Sequence, residues 1–502
     1  MKYSNLLNLF PLVSFIFLTN LNIFVCQNNS FETTTTTTAI ISTQTTPKTT
    51  TSQPKQSTLP SSTTTSTQLL LKVGILGANS SELRSAYGFG QSVPAISIAL
   101  QRARNEHLID FVNFTFTWLI CDCDQVFAVG YSNKLILDQD VDVIIGPPCV
   151  TSAVEAGLPP GFYNIPIFLW GATIATVFND NDIYPSLTNI NSNTKFLAQA
   201  VEAVLMQYGW YDFSFIYIPD NIRSERMGSY FAQDFENILN INQNLTIVYS
   251  KQMAPNVHSM KDTLQQIKNL VVAVFDSIEI RRTFLLAMTD TGISLNNEYV
   301  FIIPQLRNLG MLQQEKTGLN ISKYNNFWMT TNGVNDGRDD DTLKAARRTI
   351  IVDLENQSNS EIDAFNAKVV AEFGKPPFNC INECMGGPND QIPAAYARSL
   401  HDTTYAYLRA LNKTTEKFGY LTKDLARNGT LINNMSKGEF QGKFNNQKLK
   451  SKNYLGETGN VILDENGNRE PIFVVTMLDI SDQPLNVIQI NFINNTMVGK
   501  IK

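Results

Sequence analysis

The sequence has little basic charge, and after its first 25 residues it has no long apolar run. Its 502 residues include 39 Lys and Arg against 45 Asp and Glu, which gives a net charge of -6. Because the basic residues form no block, nucleic acid is a poor candidate partner. No apolar run of about 18 residues follows the N-terminal region, so we predict no membrane-spanning helix in the remainder of the chain.

Histidine is also scarce, and this bears on catalysis and metal binding. The three histidines, His107, His258 and His401, lie far apart in the sequence, and no nucleophile can be matched with a general base. Cys-Asp-Cys-Asp at 121–124 contains metal-ligating side chains but lacks a second matched pair or a clustered histidine. We therefore predict a protein that is not an enzyme and holds no metal. The alternative is an enzyme whose site lies in loops without a recognisable pattern.

The N-terminus has two segments that are not expected to join the fold. Lys2 precedes a mostly apolar stretch, Leu6–Val25, that Asn and Pro interrupt. Such a stretch is typical of a secretory signal peptide, which we place at residues 1–26, and the alternative is an uncleaved signal anchor. Residues 27–69 are rich in Ser and Thr and cannot bury a core, so we predict a disordered, mucin-like linker. Secretion is the expected destination.

A secreted chain gives meaning to Asn-x-Ser/Thr sequences, which accept N-linked glycans. This chain is rich in Asn, so some of these sequences arise by chance and we expect only part of them to be occupied. The candidate glycosylation sites are Asn79, Asn113, Asn244, Asn320, Asn356, Asn412, Asn428, Asn434 and Asn494.

The centre of the predicted fold is the stretch Val141–Thr173. A run rich in Val and Ile, Val141–Ile145, breaks at Gly146–Cys149, and a second run, Ile165–Trp170, breaks at Gly171. Short apolar runs bounded by Gly and Pro are typical of strands buried on both faces of a parallel sheet. Ligands of open α/β sheets bind at the carboxyl ends of such strands.

Strand-like and helix-like segments alternate along most of the chain, in two successive arrays. This pattern predicts βαβ units and an α/β fold of two lobes, each a mainly parallel sheet flanked by helices, with a cleft between them. We predict a ligand-binding region over residues 70–502. Lobe 1 is assigned about 70–190 and 390–455, and lobe 2 about 191–389 and 456–500.

The candidate ligand contacts are loop residues at the carboxyl ends of predicted strands. Their small hydroxyl groups, amides and main-chain N–H groups suit a carboxylate or a chloride ion. The alternative interpretation of each residue is ordinary loop capping. In lobe 1 the candidates are Asn79, Ser80, Thr151, Ser152, Ala172 and Thr173, and in lobe 2 they are Asp220, Asp276, Ser277 and Gln305.

Five motifs in order carry a family resemblance. They are VDVIIGPPC, NIPIFLWGATIA, YPSLTNINSNTKFLAQAVEAVLMQYGW, AAYARSLHDTTYAYLRALN and TGNVILDENGNRE, the last read as a hairpin. The chain from about residue 70 to 497 resembles the type I periplasmic-binding-protein fold. More narrowly, it resembles the extracellular ligand-binding region (ANF-receptor family) of natriuretic-peptide-type receptor guanylate cyclases, in particular the nematode set.

The resemblance implies capture of an extracellular peptide or small ligand, with homodimerisation through lobe 1. It also implies a chloride ion near Gly146 and Cys149, although Pro148 removes one N–H donor from that loop. The transmembrane, kinase-like and cyclase regions of those receptors have no counterpart in this sequence, so their signalling is not inferred. We expect a secreted protein or a receptor ectodomain, and the alternative is an adhesive glycoprotein that no longer binds a ligand.

The cysteines are expected to form disulfides in an extracellular setting. Cys121 and Cys123 end the second predicted strand and Cys149 follows the third, so either pairing with Cys149 is open. The family implies a bridge in this lobe, and we prefer Cys121–Cys149. A second bridge, Cys380–Cys384, is predicted to close a short loop, which leaves one thiol over.

Overall fold

The computed structural model describes residues 68–219, 226–267, 270–275, 278–315, 323–330, 336–355, 358–380, 391–437, 454–463, 469–493 and 496–501. The predicted signal peptide and almost all of the predicted linker lie outside these residues. The first strand begins at Leu69, the last residue of the predicted linker.

Helices and strands alternate through most of the described chain. The helices are α1 Arg84–Tyr87, α2 Phe89–Ser92, α3 Pro94–Asn105, α4 Gln125–Leu137, α5 Val150–Ala156, α6 Leu158–Tyr163, α7 Thr194–Gln207, α8 Met227–Ile241, α9 Val257–Leu264, α10 Ile278–Asp290, α11 Asp339–Ala346, α12 Asn359–Glu372, α13 Ala397–Phe418, α14 Lys423–Arg427 and α15 Gly429–Ser436. The strands are β1 Leu69–Gly77, β2 Val112–Ile120, β3 Val143–Ile145, β4 Ile167–Leu169, β5 Leu187–Asn189, β6 Asp212–Tyr217, β7 Thr246–Gln252, β8 Leu270–Val274, β9 Val300–Pro304, β10 Leu312–Glu315, β11 Lys323–Asn326, β12 Thr349–Leu354, β13 Tyr454–Gly456, β14 Gly459–Val461, β15 Ile472–Leu478, β16 Pro484–Ile493 and β17 Thr496–Ile501.

Lobe 1 is built on a five-stranded sheet in the order β2-β1-β3-β4-β5. All neighbouring strands of this sheet are parallel. Val73 and Ile75 of β1 face one apolar core, whereas Leu76 faces a second core on the opposite side. Both faces are covered, as the apolar runs of the sequence predict. The α/β fold is therefore confirmed in this half.

Lobe 2 is built on an eight-stranded sheet in the order β17-β16-β15-β12-β9-β8-β6-β7. The strands from β12 to β7 are parallel, and β15, β16 and β17 continue the sheet in antiparallel fashion. Helix α7 packs on one face through Leu197 and Val201, and α10 packs on the other through Phe284 and Met288. The sheet is thus mainly parallel where the helices alternate with strands.

The chain crosses between the lobes more than once. The first crossing joins β5 to α7, the second joins β12 to α12, and the third joins β14 to β15. Phe365 and Val369 of α12, together with Val461 and Leu463, pack into the lobe 1 core. The structure thus places α12 and residues 456–463 in lobe 1, whereas the sequence analysis assigned both to lobe 2. Their apolar faces fit α3 and α13, contacts that no local pattern reveals.

The hairpin read in the closing motif is present only as a single bridge. Leu463 and Arg469 form one antiparallel bridge, and the turn between them lies outside the described residues. β14 pairs with β13, and β15 pairs with β12 and β16, so the two apolar runs belong to different sheets. None of the described helices combines the length and apolar character that a bilayer-spanning segment needs.

The disulfide of lobe 1 joins Cys123 to Cys149, and Cys121 is a buried free thiol. The preferred pairing of Cys121 with Cys149 is therefore wrong. The reason is the turn that follows β2: Cys121 faces one core, whereas Cys123 and Cys149 face the other. A turn with positive φ at Asp122 and Cys123 brings the second thiol round to Cys149. Cys380 is disulfide-bonded, but Cys384 lies outside the described residues, so that pairing stays a prediction.

Two glycines let the strand ends of lobe 1 approach each other closely. Gly146 has φ +97° and Gly171 has φ +81°. A Cβ at Gly146 would lie 2.2 Å from the main-chain oxygen of Leu76, and one at Gly171 would lie 2.5 Å from that of Pro148. Only glycine fits both the positive φ and the contact. The glycines that follow the two apolar runs are therefore required by the close packing at the carboxyl ends of β3 and β4.

Candidate functional site

A cavity lies between the lobes, beside the three crossings. It has a volume of about 120 Å³. Lobe 1, lobe 2 and the crossings all contribute to its lining, which consists of Gly171, Ile174, Asn191, Ser192, Leu306, Arg307, Asn308, Leu309, Leu354, Ile362, Asn366, Pro393, Ala394, Ala395, Tyr396, Arg398, Ser399, Thr458 and Arg469. A ligand here would touch both lobes at once, which is the arrangement that couples binding to lobe movement.

On the lobe 1 side, a hydroxyl group ties the start of α13 to the first crossing. Ser399 Oγ accepts a hydrogen bond from the N–H of Gly171, 3.0 Å away, and donates to Asn191 Oδ1, 2.9 Å away. The amide nitrogen of Asn191 donates in turn to Thr173 Oγ1, 2.7 Å away. These bonds fix the carboxyl end of β4, the crossing and the helix start relative to one another.

On the lobe 2 side, a buried carboxylate shapes the loop that follows β9. Asp353 is fully buried and accepts the main-chain N–H groups of Arg307, Asn308, Leu309 and Gly310 at 2.8–3.1 Å. Burial raises the pKa of Asp353, and these main-chain hydrogen bonds oppose that shift. The loop residues 306–309, which line the cavity, are thus held by one side chain of the neighbouring strand β12.

A second buried carboxylate organises the third crossing. Asp402 of α13 accepts the main-chain N–H groups of Glu457 and Thr458 at 2.7 and 2.8 Å. Arg469 donates to Thr458 Oγ1, 2.8 Å away, and to the main-chain oxygen of Asn460, 2.9 Å away. Burial lowers the pKa of Arg469, while the charge of Asp402 raises it. The guanidinium is therefore fixed at the cavity wall by the β13–β14 ribbon.

The predicted contacts of lobe 1 are not among the residues that line the cavity. Thr151 and Ser152 are buried in the first turn of α5, and Ser152 Oγ donates to the main-chain oxygen of Cys149, 3.1 Å away. Thr173 is fully buried and donates to Asn189 Oδ1, 2.9 Å away. Ala172 pairs with Cys149 in an isolated bridge. The cavity lining instead includes Gly171 and Ile174, which flank Ala172 and Thr173 in the sequence.

The remaining predicted contacts are placed as follows. The main-chain N–H groups of Asn79 and Ser80 both donate to Asp122 Oδ1, at 2.6 and 2.8 Å. Gln305 is buried, and its amide donates to Asp353 Oδ2, 2.8 Å away. It therefore helps to position the carboxylate that holds the loop 306–309. Asp220, Asp276 and Ser277 lie outside the described residues. The ligand-contact role of all these residues stays a prediction.

The predicted anion loop has few donors of its own. The N–H of Gly146 donates to the main-chain oxygen of Phe168, 2.8 Å away, and neither of the two prolines that follow has an N–H. The indole nitrogen of Trp170 is buried next to this loop without a hydrogen-bond partner. Chloride at Gly146 and Cys149 stays a prediction, for which the indole N–H offers one donor.

The glycosylation candidates differ in exposure. Asn113, Asn244 and Asn434 are exposed, whereas Asn79, Asn412 and Asn428 are partly buried. Asn428 also caps α15 through Oδ1, which accepts the N–H of Leu431, 2.9 Å away, whereas a glycan would be attached to its Nδ2. Asn320, Asn356 and Asn494 lie outside the described residues. Occupancy of every site stays a prediction.

The sequence analysis did not identify most of the cavity lining. Asn366, Tyr396, Arg398, Ser399, Thr458 and Arg469 come from segments distant in sequence from the central stretch. The one local signal is the polar run Asn191-Ser192-Asn193, in which Ser192 or Asn193 is a typical helix cap. Asn193 does cap α7, accepting the N–H of Phe196 at 3.1 Å.

The comparison with protein families decides what this two-lobed fold is. The profile described as "Receptor family ligand binding region" matches residues 91–481. The chain belongs to this receptor family. The α/β fold with two lobes is the periplasmic-binding-protein-like fold of the family, as the motif order indicated.

Curated relatives of this receptor ligand-binding region are nematode proteins. The chain is 29% identical to receptor-type guanylate cyclase gcy-13 of Caenorhabditis elegans over 410 residues, which is 80% of this chain and 38% of that protein. It is 28% identical to gcy-20 of the same organism, over 80% of this chain and 35% of that protein. It is 27% identical to gcy-19 of Caenorhabditis briggsae, over 82% of this chain and 34% of that protein. The chain thus spans little more than a third of the length of these relatives.

Proposed function

We propose that this chain is an extracellular, non-catalytic receptor module that captures a ligand between its lobes. The observation that carries the proposal is the cavity beside all three crossings, because a ligand there contacts groups that move relative to one another. Binding would favour the conformation in which both walls touch the ligand, by the difference in affinity between the two conformations. The cavity volume favours a small molecule over a peptide as the ligand of the cleft.

The proposal is tested by ligand-induced stabilisation of the full chain, secreted from cultured cells. A panel of amino acids, carboxylates, phosphates, sugars, amines and short peptides is screened by thermal shift. Ala395 lines the cavity and its side chain is exposed, so Ala395→Trp should fill the cavity without disturbing the core. We expect at least one probe to raise the melting temperature of the wild type but not of Ala395→Trp.

The alternative result is that no probe raises the melting temperature of the wild type selectively, and that the wild type and Ala395→Trp bind equally to immobilised cell-surface or matrix proteins. The chain is then better described as an adhesive glycoprotein. Secretion is checked by blotting soluble and membrane fractions of the source tissue after deglycosylation. A soluble band indicates a secreted binding protein. A larger band in tissue membranes indicates that this region is the ectodomain of a longer receptor.

We propose a homodimer through lobe 1, built on an exposed apolar face of α4 and α6. Val126 is 76% exposed and Phe162 is 83% exposed, and Phe127, Leu137 and Leu158 are exposed on the same two packed helices. Contiguous exposed apolar groups of this kind mark association surfaces. The resemblance to dimeric receptors supports a second copy of this chain as the occupant.

The dimer is tested by sedimentation of the full chain over a range of concentrations. We expect a dimer whose dissociation constant rises in Phe162→Asp. The matched control is Ile480→Asp, because Ile480 is fully exposed on a turn of lobe 2. A monomer at all concentrations, or equal weakening by both substitutions, would contradict this interface.

A further inference from the structure

The charged residues that line the interlobe cavity are all arginines, so their charge is positive. Arg307 comes from the loop after β9, Arg398 from the start of α13, and Arg469 from the third crossing. Among the lining residues that the structure describes, none is Asp or Glu. A cleft with low-dielectric walls and charge of one sign concentrates ions of the opposite sign. The three arginines therefore favour an anion over a cation as the ligand of the cavity.

The nearest buried carboxylates do not line the cavity. Asp353 and Asp402 are both fully buried. Asp353 accepts main-chain N–H groups of the loop 307–310, and Asp402 accepts those of Glu457 and Thr458. Their oxygens hold the two walls in shape, so they are not available to pair with a ligand cation.

The start of the long helix α13 faces the same space. α13 is 22 residues long and begins without a side-chain cap or an acidic residue in its first turn, and its second and third residues, Arg398 and Ser399, line the cavity. α7 begins at Thr194, just after the lining residue Ser192, but its first donors are already bonded: the N–H of Thr194 to the main-chain oxygen of Ile174 and that of Phe196 to Asn193 Oδ1. The amino ends of long helices offer N–H donors and a partial positive charge to anions.

A buried hydroxyl in the cavity wall provides an independent indication of a ligand. Ser192 is 5% exposed, and its Oγ has no hydrogen-bond partner among the residues that the structure describes. Leaving a buried hydroxyl without a partner is unfavourable, and native proteins seldom do so away from sites that a ligand or water completes. Ser192 lies at the start of α7, on the same wall as Ser399 and Asn191.

The cavity also has an apolar part and a limited size. Ile174, Leu306, Leu354 and Ile362 line it together with the polar groups. The cavity volume is about 120 Å³, and a site for one water needs roughly 10–15 Å³, so the cavity accommodates on the order of ten water-sized groups. This is the size of a small organic acid with a short carbon skeleton.

Building on the proposed ligand-binding function, we propose that the cavity binds a small organic anion through a carboxylate or phosphate group. The anionic group would sit at the start of α13, contacted by the Arg398 guanidinium and the Ser192 hydroxyl. The carbon skeleton would lie against Leu306 and Ile362. Guanidinium groups bind carboxylate and phosphate oxygens in pairs, which sets orientation as well as charge.

The test uses the full secreted chain in a buffer free of organic anions. Succinate, citrate and inorganic phosphate are the anionic probes, choline is the cationic probe and glycerol is the neutral probe, each titrated by calorimetry. We expect an anion to bind and choline and glycerol not to bind. Binding by citrate or succinate but not by phosphate identifies the carboxylate, and the reverse identifies the phosphate.

Variants locate the binding site. Arg398→Gln should weaken binding of the anion by about tenfold or more, since hydrogen bonds to charged groups are among the stronger ones. Arg398→Lys should restore part of the affinity, and Ser192→Ala should weaken it several-fold. Arg104→Gln, an exposed arginine on α3 outside the cavity, should leave affinity unchanged. Circular dichroism confirms that each variant is folded.

Two results would overturn the anion inference and leave the ligand-binding function standing. The first is that choline or glycerol binds the wild type but not Ala395→Trp, and that none of the anionic probes binds. The other is that Arg398→Gln and Arg104→Gln bind the anion as tightly as the wild type, since the anion would then sit elsewhere. If no probe of any charge binds in a manner sensitive to Ala395→Trp, both proposals fail together.

Discussion

Ser399 and Asn191, which are 208 positions apart in sequence, are joined by a hydrogen bond of 2.9 Å at the cavity wall. The same Ser399 hydroxyl accepts the N–H of Gly171. The start of the longest described helix, the end of β4 and the first crossing between lobes therefore meet at one buried oxygen. Any ligand in the cleft contacts a wall whose shape depends on this oxygen.

Ser399→Ala removes both hydrogen bonds and leaves the Gly171 N–H and Asn191 Oδ1 without their partner. The expected loss is about 1–3 kcal/mol of unfolding free energy, because buried donors and acceptors are left unsatisfied. The cleft should also bind its ligand less tightly. Denaturant unfolding measures the first effect. Thr415→Ala is the matched control, because its hydroxyl bonds only within α13, to Leu411 O; an equal loss in both variants would contradict the prediction.

Asp353→Asn tests how the loop 306–309 is held. Each carboxylate oxygen accepts three N–H donors, and the amide nitrogen of Asn accepts none. We expect a loss of at least about 3 kcal/mol, since several buried donors lose their acceptor. The control is Asp340→Asn at the exposed start of α11. A loss below about 1 kcal/mol relative to that control would show that the loop holds its shape without the carboxylate.

The Asp140 cluster predicts a pH dependence. Lys423 Nζ lies 3.1 Å from Asp140 Oδ2 and Arg427 contacts the other oxygen; these contacts lower the pKa of Asp140 to about 2, with Arg427 the larger cause. Because the folded-state pKa is below the unfolded value near 3.8, the stabilisation is present above about pH 4 and is lost as pH falls toward 2.

Asp140→Asn should therefore lower the melting temperature at neutral pH and lose its effect in acid. The side chain is half-exposed, so the difference should be at most about 1 kcal/mol and should shrink with added salt. Melting curves across this pH range, with and without salt, make the comparison. A difference that is the same at every pH would assign the effect to packing and contradict the ionic explanation.

Because Cys123 is in the disulfide and Cys121 is not, we expect substitutions of these two cysteines to affect stability differently. Cys123→Ser opens a bridge between residues 26 apart in sequence, which should cost about 3 kcal/mol. Cys121→Ser removes no bridge and should cost less. Burial raises the pKa of the Cys121 thiol to about 12, so thiol alkylation followed by mass spectrometry should label Cys121 only after unfolding. Labelling of Cys123 instead would contradict the pairing.

Several elements were predictable from the sequence because their causes are local. The run Val141–Ile145 yields β3 and the run Ile165–Trp170 yields β4, since short apolar runs between Gly and Pro form buried strands. The amphipathic pattern of Ala394–Leu411 yields most of α13. The positive φ of Gly146 and Gly171 explains why the strands end where the sequence breaks.

The pairing of cysteines and the membership of lobes were not predictable in the same way. Cys121 and Cys123 both follow β2, and only the side of the sheet that each faces separates them. Helix α12 has an ordinary amphipathic sequence, and only its contact with α3 assigns it to lobe 1. Both depend on residues that are remote in sequence.

The α/β class, the two lobes and the receptor family can be inferred from the amino-acid sequence, because strand and helix periodicity and the order of the five motifs are local properties of the chain. The side chains that line the cleft can be identified only in the folded protein. Arg307, Arg398 and Arg469 lie far apart in sequence, and the buried carboxylates that fix their loops act across elements. Their convergence depends on how the three crossings fold back on one another, which no single stretch of sequence encodes.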